Sequence, residues 1–279
     1  MVMRLPTPTI DSVQLVSDVV AERAGGRNAA YFAALEGEWR QRVQQYLDSS
    51  GAPPGVTLWP AIGPRKTSFL TLYLSPAETS VQGQMLRDMR QHELSICPAC
   101  GELGRPNTLD HYLPKDVYPH FCVTPVNLFP MCDACQLTKG TKVGNAAYPR
   151  FFIHPYFDVF VAEQVVHLKI EAPFDAPAFS LEVADDLEPA DAGLVRNHIH
   201  ELAIDIRYAT YFRNQYRRLL RLAHTMRSSG QDICQTLETF RVGAADPSLN
   251  AWEHVFYAAV LGNGDLIDYL STAQLPHLL

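Results

Sequence analysis

Two Cys-x-x-Cys pairs, Cys97/Cys100 and Cys132/Cys135, constrain this chain more than any other feature of its sequence. Each pair brings two thiols onto one tight knuckle, and two knuckles together offer four sulfurs to a tetrahedral zinc ion. A four-thiolate site has no open position, so such a zinc is structural. It would clamp the start of the segment to its end and shape a polar insert, residues 101–131, that is too long to hold one form unaided. Cys122 and Cys234 stand alone in apolar surroundings and read as small buried hydrophobes. A redox dithiol is the weaker alternative, because it needs one such pair rather than two.

The remaining composition narrows the class. A chain of 279 residues can bury a full core in one large domain or two smaller ones, and 47% hydrophobic with 19% charged residues is ordinary for a soluble globular protein. No run approaches the roughly 18–20 apolar residues that cross a bilayer. The amino terminus, MVMRLPTPTI, lacks the continuous apolar stretch of a signal peptide, so a cytoplasmic protein with no membrane partner is expected. A net charge of −7 argues against a non-specific nucleic-acid coat but not against a nuclease, whose phosphate contacts are local.

Before the cysteines the pattern is helical. Residues 10–24 place Ile10, Val13, Val16, Val19 and Val20 at helical spacing with Asp11 or Ser12 as cap, and Gly25-Gly26 ends the helix. A second helix, residues 28–47, carries Tyr31, Leu35, Trp39, Val43 and Tyr46 or Leu47 as a core stripe. SFLTLYL at 68–74 fits a strand or a buried helical turn, and Ser75-Pro76 would start a helix running through His92. Beyond the cysteines, residues 159–172 and 178–185 alternate as paired strands joined through Pro173, Asp175 and Pro177. Residues 189–227 are helical with one break. In their second half Tyr208, Phe212, Tyr216, Leu219 and Ala223 share a face, with Arg213, Arg217 and Arg221 opposite. That arginine stripe reads as a solvated face or as a phosphate-contacting one. Two last helices, near 231–242 and 248–272, are core packing, with Trp252, Phe256 and Tyr257 as anchors.

The insert carries the chemistry. Asp110 and His111 are neighbours on a short apolar run, so an extended chain points them to opposite faces: one towards a hard divalent metal, the other towards a water beside a scissile phosphate. Asn127 sits between apolar residues, where its carboxamide can fix the backbone or orient an imidazole. A helix starting at the second knuckle would place Lys139 and Lys142 beside a bound phosphate. His120, between aromatics, reads as structural before functional, while His154 and Asp158 read either as packed, hydrogen-bonded groups or as residues that approach the site from outside the motif.

The order CPACG, LDHYLPK, NLFP, CDACQLTKG resembles the HNH endonucleases, in particular the zinc-ribbon branch of the ββα-metal nucleases, over residues 97–145. The resemblance implies an α+β chain with a zinc-bound HNH core at 93–158, between a helical region at 1–92 and a hairpin-plus-helical region at 159–279. It implies His111 as general base, Asp110 as ligand of a catalytic Mg²⁺ or Mn²⁺, Asn127 as the residue that holds the loop, and zinc on the four cysteines. Gln136 stands where the family usually has His or Asn; its amide oxygen can ligate a cation, but one methylene further out. DNA is the expected substrate, contacted by Lys139, Lys142, Arg213, Arg217 and Arg221, in phage defence or restriction, with a partner protein or a second copy as further partners. The rival expectation is a zinc-ribbon module that binds nucleic acid or a protein without cutting.

Overall fold

A computed structural model describes residues 2–276, which form a mixed helical and antiparallel-strand chain of two compact units. One unit comprises Leu5–Cys97 and Gly104–Asp158; the other comprises Met1–Arg4, Pro98–Leu103 and Val159–Leu279. No helix among the described residues is long and apolar enough to cross a membrane.

In the unit that holds the insert, α1 (Ser12–Glu22) begins where Asp11 Oδ1 accepts the amides of Val13 and Gln14, satisfying two of the donors a helix start leaves open. Its buried face, Leu15, Val16, Val19 and Val20, lies against α2 (Ala29–Asp48), which buries Phe32, Trp39, Val43 and Tyr46. SFLTLYL belongs to α3 (Lys66–Leu74), whose Phe69 meets Trp39 edge-on at 4.9 Å and Phe32 at 5.4 Å. The next helix, α4 (Val81–Arg90), starts later than Ser75-Pro76 suggests, because it is the Ser80 hydroxyl that accepts the Gly83 amide. Strands β1 (Thr108–His111) and β2 (Leu128–Met131) pair antiparallel, with Asp110 opposite Phe129 and His111 opposite Leu128. Helix α5 (Asp133–Lys139) follows directly.

In the other unit, β3 (Val166–Glu171) and β4 (Ala178–Val183) form the expected hairpin, β3 alternating buried and exposed residues. Residues 159–162, expected as strand, are a 3₁₀ turn. The helical stretch breaks at Ala203, which takes a positive φ of 50°, into α6 (Pro189–Glu201) and α7 (Ile204–Ser228). Phe179 of β4 packs on Tyr216 of α7 at 5.7 Å. Helix α8 (Ile233–Gly243) buries Ile233 and Leu237, one turn apart, and so turns Cys234 outward: this thiol is exposed, not buried as its neighbours suggest. The segment 248–272 is two helices, α9 (Trp252–Leu261) and α10 (Gly264–Thr272), because Asn263 caps a new start on the Leu266 amide.

Candidate active site

The sulfur atoms of Cys97, Cys100, Cys132 and Cys135 all lie within 4.8 Å of one another. Four thiolates around one zinc at about 2.3 Å sit about 3.8 Å apart, so the thiols are gathered to within a small contraction of a tetrahedral site. None forms a disulfide, and the Cys132 amide donates to Cys97 Sγ at 3.3 Å. The donor set is that of a metal centre without an open position.

Directly after the second knuckle, α5 lies along β1. Asp110 is 9% exposed, and its Oδ1 is 3.4 Å from the Gln136 carboxamide nitrogen. Its Oδ2 is buried and pairs with the Lys139 ammonium at 3.0 Å. Lys139 is 1% exposed, donates to the His111 carbonyl at 2.6 Å, and faces the Phe152 ring at 5.8 Å. Burial pulls its pKa down while Asp110 holds it up. The expectation that Lys139 flanks a phosphate from the surface is therefore corrected: the helix turns this side chain inward, where it neutralises Asp110. Lys142 is part-exposed.

His111, 3% exposed, leans edge-on against Tyr73 of α3 at 4.4 Å, and its Nε2 lies 2.9 Å from the Cys122 carbonyl. A carbonyl only accepts, so Nε2 carries the proton and Nδ1 keeps its lone pair. Burial pushes the pKa of the ring down to about 3, against a smaller upward pull from that carbonyl, so the imidazole is neutral at physiological pH. Tyr73, whose hydroxyl also donates to the Leu109 carbonyl at 2.6 Å, was hidden in the sequence inside an apolar run.

Asn127 is fully buried. Its Nδ2 donates to the carbonyls of Leu113 and Phe121, both at 3.1 Å, and its Oδ1 accepts the Leu113 amide at 2.7 Å and faces the Tyr46 hydroxyl at 3.1 Å. That hydroxyl meets His154 Nε2 at 3.0 Å, while His154 Nδ1 accepts the Tyr156 amide at 3.2 Å. The amide fixes the tautomer: His154 Nε2–H donates to Tyr46, and Tyr46 donates to Asn127. His154 and Asp158, which accepts the His154 amide at 2.6 Å, are thus bound into the frame. His120 is fully buried with neither ring nitrogen hydrogen-bonded.

Within this unit the fold brings Gln136 to Asp110, while His111, next to Asp110 on β1, meets Tyr73 and the Cys122 carbonyl. Arg213, Arg217 and Arg221 are exposed on α7 of the other unit, with Arg213 turned back to the Ala209 carbonyl at 2.9 Å.

The chain is similar to Protein ea31 of Escherichia phage lambda, at 33% identity over 115 residues, covering 40% of this chain and 39% of that protein. The match thus spans about two fifths of that relative's length. No protein-family model and no solved structure matches the chain.

Proposed function

We propose that this chain is a metal-dependent endonuclease of the HNH type, hydrolysing phosphodiester bonds of DNA, with zinc on its four cysteines and β1, β2 and α5 as the catalytic ββα unit. The observation that carries this reading is the contact of Gln136 on α5 with Asp110 on β1, beside a neutral His111 on the same strand. The residues offer a second cation a largely buried carboxylate, Asp110, with the Gln136 carboxamide at its Oδ1 and the Lys139 ammonium 3.0 Å from its Oδ2. Asp110 and Gln136 would hold a divalent ion such as Mg²⁺ or Mn²⁺, which would supply Lewis acidity towards the phosphate and the leaving 3′ oxygen. His111 Nδ1 takes the proton of the attacking water, and the Cys122 carbonyl steadies the imidazolium through Nε2–H. Asn127 holds the loop in register. Lys142 binds a flanking phosphate, the α7 arginines are a further DNA contact on their own unit, and phage defence or restriction is the setting this chemistry suits.

The test is cleavage of plasmid and single-stranded DNA with added Mg²⁺ or Mn²⁺. His111→Ala should lose roughly 10²–10⁴-fold in rate; full activity in that variant would sink the assignment. A second reading, a non-cleaving zinc-ribbon module that binds nucleic acid or a protein, is favoured by the Lys139–Asp110 ion pair and the deep burial of His111. It predicts binding without metal-dependent nicking.

A further inference from the structure

Far along the chain from the cysteines, the ends of α1 and α2 and one face of α3 enclose an open cleft of about 520 Å³. Arg23, Arg27 and Arg65 line it, and no carboxylate does. Its wall on α3 is a row of hydroxyls, Thr67, Thr71 and Ser75 at one-turn steps with Ser68 beside them, and Phe32 and Leu72 form an apolar floor.

The guanidiniums are held in place rather than neutralised. Arg65 stacks on the Tyr31 ring at 3.8 Å and donates to Asn28 Oδ1 at 2.6 Å, which draws that carboxamide away from capping α2. Arg23 donates to the Val19 carbonyl at 3.3 Å and to Gln82 Oε1 at 3.5 Å. Its pKa is lowered by burial more than neighbouring Glu22 raises it, the mark of a cation short of counter-charge. Glu22 itself is occupied by the Val81 amide, at 3.0 and 3.1 Å. Arg27 is exposed and has no hydrogen-bond or ion-pair partner among the described residues. Three positive charges around one cleft repel one another unless a multiply charged anion lies between them. Forked donors and hydroxyls match the tetrahedral oxygens of phosphate better than a single carboxylate.

We infer that this cleft is a phosphate-binding site, separate from the Asp110–His111 site, and that Arg27 and Arg65 are its principal contacts. The phosphate comes either from a nucleic-acid backbone or from a small phosphate compound, and the experiment separates the two. Pyrophosphate binding to the full chain is measured by calorimetry, and binding of a labelled single-stranded oligonucleotide by fluorescence anisotropy at several salt concentrations. The double variant R27Q/R65Q should weaken pyrophosphate binding by about tenfold or more. If the oligonucleotide weakens in parallel and pyrophosphate displaces it, the source is the backbone; R27Q alone, which removes no internal contact, then lowers the slope of log affinity against log salt by about one. If pyrophosphate binding alone is lost, the ligand is a small phosphate compound. Absence of pyrophosphate binding in the wild type, or equal affinity in the variants, overturns the inference. Pyrophosphate binding is read without added divalent metal and without any cleavage, so a failure of the nuclease reading leaves this result intact.

Discussion

Asn127 uses its whole hydrogen-bonding capacity inside the protein, two donors and two acceptor sites, all met. Asn127→Ala would leave the Leu113 amide and the Leu113 and Phe121 carbonyls without this partner in a dry interior, at about 1–3 kcal/mol for each group left unsatisfied. We expect a fall in the denaturant midpoint equivalent to about 3 kcal/mol or more; an unchanged midpoint would refute the bracing role. Lys139 predicts a different signature. Lys139→Met leaves the Asp110 carboxylate buried without its cation, costing about 3–5 kcal/mol. That loss should shrink as Mg²⁺ or Mn²⁺ is added, because a bound cation restores the missing charge. Thermal melts of the variant with and without metal read this directly, and a metal-independent deficit would contradict the proposed ligand role of Asp110. That Asn127 would fix the backbone around it was legible from an amide set between apolar residues. The inward turn of Lys139 was not, because a lysine a helix away from the strand pair gives no hint of which carbonyl its ammonium will meet.

Elements were legible where local chemistry decides them. Asp11 caps α1 through its own side chain, and the alternation of β3 follows from one buried face. Boundaries slipped where two local signals competed, as when Ser80 rather than Ser75 began α4. The α10 terminus shows a long-range device no local signal announces: Arg227 of α7 donates to the carbonyls of Tyr269, Leu270 and Ala273 at 3.0, 2.6 and 2.7 Å. One guanidinium thereby satisfies the Leu270 and Ala273 carbonyls, shares that of Tyr269 with the Ala273 amide, and complements the dipole of α10. Arg227→Ala should cost about 1–3 kcal/mol and raise amide exchange first in α10. Uniform exchange along the chain would instead mean that Arg227 acts by charge alone.

Across the molecule, burial sets the acid response. His111, His120 and His154 are all held neutral, with pKa values of about 3 for the first two and well below the ordinary value for the third, each mainly through desolvation. Above about pH 6.5 folded and unfolded chains carry the same charge at these rings, and they cost nothing. Below it the unfolded chain binds protons that the folded chain refuses, so stability falls by about 1.4 kcal/mol per pH unit per histidine until the folded values are reached. Chemical denaturation at pH 7 and pH 5 should therefore differ sharply, and His120→Leu, which removes a ring with no hydrogen bond, should flatten that difference. Equal stability at the two pH values would be incompatible with neutral burial. None of this could be read from the sequence, where a histidine between aromatics is equally at home on a surface. The chain His154–Tyr46–Asn127 has a last consequence, for anyone who would lift out the cysteine-bracketed segment as a cassette. Trp39 donates to the His120 carbonyl at 2.7 Å, Tyr73 to that of Leu109 and Tyr46 to Asn127, and all three donors lie upstream on helices that a cut at residue 93 discards. Grafted onto a foreign scaffold, the segment would keep its thiols but arrive with those acceptors empty, so the portable piece reaches back through the helices from Leu5 to Asp158 and must keep the 98–103 link that carries Cys100.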